Sequence, residues 1–160
     1  MSDGKWSIAT LIERHRRIAL DANVLIYLLE DVEGRSDRSA AIVDAVESGR
    51  LQASISALGH AEVLIGPARL GDAATFERTA AELRDAQVAI APVTAGIAED
   101  AAWLRGRRSI DLVDAIHLAT ARSVATAFIT NDRRLRSTPG LEVFLLDDLE
   151  LGEGAGPSGS

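Results

Sequence analysis

Four carboxylates in this chain stand where carboxylates are costly. Asp21 closes the apolar run Ile18-Ala19-Leu20. Glu62 lies inside Ala61-Glu62-Val63-Leu64-Ile65. Asp114 lies inside the run from Asp111 to Leu118, and Asp132 follows Ala127-Phe128-Ile129-Thr130-Asn131. A carboxylate beside a core segment needs a partner, because desolvating it unpaired is expensive. Lysine does not supply one, since Lys5 is the only lysine. Oxygen donors without sulfur suit a hard cation, so the four acids point to a site for Mg²⁺ or Mn²⁺. Cysteine is absent, which excludes disulfides and thiolate-metal sites. His15, His60 and His117 are not spaced as a zinc site. His117 follows Asp114 by one helical turn and reads as packing, or as a hydrogen-bond partner behind the site.

The elements that must position these acids alternate between short apolar strands and helices. Strands are expected at 17–20, 51–55, 88–91, 126–130 and 142–146. Helices are expected at 7–15, 22–30, 37–48, 57–69, 73–85, 95–106 and 110–124. Ser36, Ser56, Thr94 and Ser109 stand as their caps where a Ser or Thr precedes a helical run. This alternation predicts an α/β protein, a three-layer α/β/α sandwich with a mostly parallel sheet of about five strands. Sites in such folds form beyond the carboxyl ends of the strands. Asp21 and Asp132 fall there. At about 100° per residue, Glu62 and Asp114 border the buried sectors of their helices. Asp111 falls toward the polar side, and an acid in the first helical turn also complements the helix dipole. Asp114 is therefore preferred to Asp111 as a ligand.

The length of 160 residues fits one domain with a sizeable core. Residues 1–16 read as an extension carrying a short helix, with 1–6 frayed. The domain proper spans 17–150. Residues 151–160 are Gly/Ser-rich and read as a flexible tail. No run of about 18 apolar residues implies a membrane span. The start lacks a secretory apolar stretch, and a cytoplasmic location is expected. The net charge of −7 argues against one broad nucleic-acid surface.

Four motifs together resemble a family. Leu20-Asp21-Ala22-Asn23-Val24-Leu25-Ile26-Tyr27 resembles the opening motif of PIN-domain nucleases. Ser56-Ala57-Leu58 through Glu62-Val63-Leu64, with Gly66-Pro67, is similar to the second acidic motif as it occurs in VapBC-type toxins. Asp114-Ala115-Ile116-His117-Leu118-Ala119-Thr120-Ala121 is similar to the third, and Phe128 through Leu135 to the fourth. The resemblance implies a ribonuclease dependent on Mg²⁺ or Mn²⁺, the toxin of a type II toxin–antitoxin pair. It implies a small antitoxin partner and a homodimer. It places the catalytic and metal-holding quartet at Asp21, Glu62, Asp114 and Asp132, with Thr130 and Asn131 supporting. A PIN nuclease of RNA maturation or DNA processing, and a catalytically idle PIN scaffold, are the other readings. The chain departs from the pattern in its N-terminal extension and its acidic charge.

Phosphodiester hydrolysis needs an activated water and a cation for developing charge. On this reading Asp21 and Asp114 contact the metal, and Glu62 and Asp132 complete its shell. Arg105, Arg107 and Arg108 precede the Asp114 helix, while Arg133, Arg134 and Arg136 follow Asp132. They read as a positive collar, with Arg107, Arg108, Arg133 and Arg134 as candidates for RNA phosphates. Solvated helix-end charges are the plain alternative.

Overall fold

The computed structural model of the chain describes residues 6–152. Five parallel strands form one sheet. They are β1 (Arg17–Leu20), β2 (Gln52–Ser56), β3 (Ala89–Ala91), β4 (Ala127–Thr130) and β5 (Glu142–Leu145), in the spatial order β3-β2-β1-β4-β5. The chain runs outward from β1 in one direction through β2 and β3, then returns to the other side for β4 and β5. The order therefore switches between β1 and β4, and the crevice of such a sheet opens beyond the carboxyl ends of that pair. Leu20 is in register with Ile129 there.

Among the described residues seven α-helices cover the sheet: α1 (Ile8–Arg14), α2 (Ala22–Leu29), α3 (Ser36–Glu47), α4 (Ala57–Arg69), α5 (Ala73–Asp85), α6 (Ala95–Arg107) and α7 (Leu112–Val124). Successive strand residues point to opposite faces, and the sheet accordingly has two cores. Ile18, Leu20, Ile55 and Ile129 pack with α1 to α5. Ala19 and Phe128 pack with Ala101 and Leu104 of α6 and with Ala115 and Leu118 of α7. This is the expected three-layer α/β/α sandwich. No helix among the described residues is long and apolar enough to cross a membrane.

Three local expectations are corrected. Helix α7 starts at Leu112, not Ile110, and its cap is Asp111, whose side chain accepts from the N–H of Asp114. An aspartate three residues before an N–H competes directly with Ser109 for the capping role. Ser36 lies inside α3, which begins after Arg35 with no side-chain cap. Trp6 is not frayed: its ring lies 4.9 Å from that of Phe144, and its carbonyl accepts from the N–H of Glu150 at 2.8 Å. Helix α1 buries Ile8 and Leu11 in the first core, so this segment is packed against the domain. The tail reading falls on residues of which 153–160 lie outside the described ones, as do 1–5. Leu151 packs against the first core.

Candidate metal centre

The site grows from strand ends. Asp21 follows β1, and its N–H donates to the Ile129 carbonyl of β4 at 2.9 Å, which fixes its backbone. Its side chain caps α2: Oδ1 accepts from the N–H of Ala22 at 2.8 Å. Oδ2 accepts from Thr130 Oγ1 at 2.6 Å. Thr130 is fully buried at the end of β4, and its Oγ1 also accepts from the Asp132 N–H at 3.0 Å. One hydroxyl thus holds the acids of two adjacent strands.

Glu62 is positioned from α4. Ser56 ends β2 and caps α4, its Oγ accepting from the N–H of Gly59 at 2.9 Å. The cap is tight: a Cβ at Gly59 would come within 2.8 Å of Ile55 Cγ1. Ser56 Oγ lies 2.8 Å from His117 Nδ1, and His117 Nε2 lies 2.6 Å from Glu62 Oε1. Glu62, as a carboxylate, only accepts, so Nε2–H donates to it, and Ser56 Oγ is the partner of Nδ1. His117 is 4% exposed. Ligand atoms of Asp21, Glu62 and His117 all lie within 4.8 Å of one another.

Asp114 and Asp132 form a second group, and an arginine holds them. Both oxygens of Asp132 accept from Arg134, Oδ1 from Nε at 3.0 Å and Oδ2 from Nη2 at 2.7 Å. Nη2 also stands 3.6 Å from Asp114 Oδ2. The Arg134 hydrogen bonds hold the Asp132 carboxyl below its ordinary range. Asp114 goes the other way. Burial, then the adjacent Asp111 and Asp132, push its carboxyl up to about 6. Asp114, Asp111, Arg105 and Arg134 line a cavity of about 250 Å³. Asp111 is exposed and committed to its cap.

The acids all reach the carboxyl edge of the sheet, but the cluster that the geometry draws tightest is Asp21, Glu62 and His117. Its histidine is one that the sequence assigns behind the site, and Nε2 is taken up by Glu62. Asn131 turns away from the acids. Its Nδ2 donates to Tyr27 Oη and to Asp147 Oδ1, each at 3.2 Å, while its Oδ1 accepts from the Asp147 N–H at 3.0 Å. Arg35 donates to both oxygens of Asp147, which lowers that carboxyl's pKa. Asp147 and Arg35 carry no motif and were not legible as partners of Asn131. Of the arginines, Arg107 lies over the Trp103 ring at 4.3 Å, and Arg108 reaches the carbonyls of Arg136 and Ser137 at 3.4 Å. Arg133 is exposed.

The donor set is oxygen-rich and lacks sulfur, and Asp114 is crowded by like charges. Those residues fit a hard divalent cation. Asp21 and Glu62 offer carboxylate oxygens, each already oriented by a hydrogen-bond donor.

The profile of the PIN domain family matches residues 18–141. The chain belongs to the PIN domain family. Among solved structures, this PIN domain is similar to a toxin–antitoxin complex from Klebsiella pneumoniae. The identity is 28% and the TM-score 0.59, over 78% of this chain and 94% of that one. FitAcB from Neisseria gonorrhoeae is similar at 23% identity and a TM-score of 0.57, over 79% and 96%. VapBC2 from Rickettsia felis, bound to a DNA fragment from their promoter, gives 14% identity and a TM-score of 0.62, over 81% and 98%. These last two share the fold. No relative was found among curated proteins.

Proposed function

We propose that this PIN domain is an endoribonuclease dependent on Mg²⁺ or Mn²⁺, acting as the toxin of a type II toxin–antitoxin pair in the cytoplasm. The observation that carries the reading is the meeting of Asp21 and Glu62 at the switch point of a parallel sheet, with Asp132 tied to Asp21 through Thr130 and Asp114 reached by the arginine that pairs with Asp132. Asp21 and Glu62 would hold the cation, with Asp114 and Asp132 beside them. The bound ion would neutralise charge on the phosphate and make a water a better nucleophile. Thr130 and His117 keep Asp21 and Glu62 in one orientation, which limits the reorganisation needed during reaction. Asp114, with its raised pKa, is the carboxyl best suited to hold a proton near neutrality. Arg107, Arg108 and Arg133 are exposed or half-buried near the ends of α6 and β4, where a phosphate backbone can meet them.

The partner reading rests on the similar toxin–antitoxin complex from Klebsiella pneumoniae and on exposed apolar side chains. Leu29 is 47% exposed, Ile65 45% and Leu70 77%. They lie on α2 and α4 and just beyond α4. A small antitoxin and a second copy of this chain are the proposed occupants of such surfaces.

The test is cleavage of total RNA by the purified chain, with Mn²⁺, with Mg²⁺ and with EDTA, mapping the new ends. Cleavage should need the ion and vanish in Asp21→Asn and Asp114→Asn. Cleavage that persists in EDTA or in both variants removes the proposal. Equal cutting of DNA would favour the DNA-processing alternative.

A further inference from the structure

The two halves of the acid site are prepared differently. Asp21 and Glu62 are oriented by hydrogen-bond donors, the Ala22 N–H, Thr130 and His117. No cationic side chain pairs with either beyond that histidine among the described residues. Asp132 and Asp114 carry a cation of their own. Arg134 is pinned through its backbone, whose N–H donates to Asp132 Oδ1 at 3.0 Å. Its fork takes both Asp132 oxygens, and Nη2 reaches toward Asp114 at 3.6 Å. Yet its side chain is 72% exposed. Its contacts with Asp132 and Asp114 are charge contacts at the rim, and such contacts are weak in water.

Taking the four acids as the metal-holding group, we propose that Arg134 is a resident counter-cation of the site. A divalent ion must displace it from Asp132 and Asp114 in order to bind there. An ion that also drew on Asp132 and Asp114 would need the oxygens that Arg134 takes up, and two cations cannot share them without repulsion. Arg134 thereby sets the affinity of the site for its ion. Arg134 lines a cavity together with Asp114 and Arg105, where a guanidinium released from the carboxylates can meet an anion.

The test is calorimetric titration of Mn²⁺ into the purified chain and into Arg134→Gln, Arg134→Lys and Arg133→Gln, without RNA. Arg133→Gln removes the same charge one residue away, from a side chain that pairs with no carboxylate among the described residues. Arg134→Gln should tighten Kd by about two- to fivefold, the scale of an exposed ion pair. Arg134→Lys should lie between Arg134→Gln and the unmodified chain. Arg133→Gln should change Kd less than Arg134→Gln. An unchanged or weaker Kd in Arg134→Gln overturns the proposal, and so does an equal gain in Arg133→Gln. Asp21→Asn separates the two levels. If it leaves Mn²⁺ binding intact, or if the unmodified chain binds no Mn²⁺, the metal-site reading falls and the proposal with it.

Discussion

His117 Nε2 stands 2.6 Å from Glu62 Oε1, with the imidazole 4% exposed and the carboxylate 41%. The bond therefore has a dry end and a wet end. A buried ring on α7 aims an open carboxylate on α4, and Ser56 fixes the ring from behind. Partners of this kind typically change metal affinity or activity by about 10- to 100-fold when removed. His117→Gln is expected to weaken Mn²⁺ binding and cleavage on that scale while the far-ultraviolet spectrum stays native. Ser56→Ala should show the same effect more weakly, with a loss of about 1 kcal/mol from the missing helix cap. Calorimetric Kd values that do not move would make His117 a packing residue.

Thr130 divides its hydroxyl between two acids, donating to Asp21 and accepting from the Asp132 N–H. Thr130→Val keeps the shape and removes both bonds. It leaves a half-buried N–H and a carboxylate oxygen short of partners, at a cost of about 1–3 kcal/mol. Thermal denaturation should register that loss, and Mn²⁺ affinity should drop with it. Thr130→Ser restores the hydroxyl and should recover most of the affinity. If Val and Ser variants bind the ion equally, the hydroxyl does not position Asp21.

How much of this was legible follows from where each contact lies along the chain. The β1 bounds at Arg17 and Leu20 and the placement of Asp21 beyond them come from a short apolar run and its polar stop. The parallel sheet follows from strands alternating with helices. Helix periodicity also put Glu62 and Asp114 at the edge of buried faces. The pairing of His117 with Glu62 was not legible, because the partners lie 55 residues apart and only packing sets the register of α7 against α4. Asn131 was expected to support the acids. It turns instead to Tyr27 and Asp147, since a side chain beyond a strand end is free to choose among loops. Arg134 reads in the sequence as a phosphate contact, but a local fork with Asp132 two residues away comes first.

The Asn131 network is expected to serve stability. Asn131 ties the end of β4 to Asp147, which in turn takes both donors of Arg35, and Arg35 lies 5.0 Å over the Tyr27 ring. Asn131→Ala leaves the half-buried Asp147 N–H without its partner. The expected loss is about 1–2 kcal/mol, read as a lower thermal midpoint. Mn²⁺ affinity should change less than in Thr130→Val. A variant with normal stability and lost metal binding would return Asn131 to the site.

Asp114 makes the metal-free protein sensitive to pH between about 4 and 6. Burial and the acids around it hold its carboxyl at about 6 in the folded chain, against an ordinary value of 3.8. The folded chain keeps a proton in that window which the unfolded chain has given up. Stability linked to Asp114 is therefore fully present below about pH 4 and is lost as pH rises through 6. Asp132 and Asp147, whose pKa values are lowered, act in the opposite sense and lose their contribution only below the ordinary carboxylate range. Asp114→Asn cannot ionise, so in EDTA its melting temperature should exceed that of the unmodified chain at pH 7.5. The difference should shrink toward zero at pH 4. Metal binding has the reverse dependence, because a ligand carboxyl must be deprotonated. Mn²⁺ affinity of the unmodified chain should weaken as pH falls through 6, with proton release seen as a dependence of the heat on buffer ionisation. Glu62 has His117 as a donor, and so like-charge repulsion concentrates at Asp114. Glu62→Gln should accordingly raise the EDTA midpoint less than Asp114→Asn. Melting curves in EDTA at pH 4 and pH 7.5 that separate neither variant from the unmodified chain would show that the acids do not repel in the folded state.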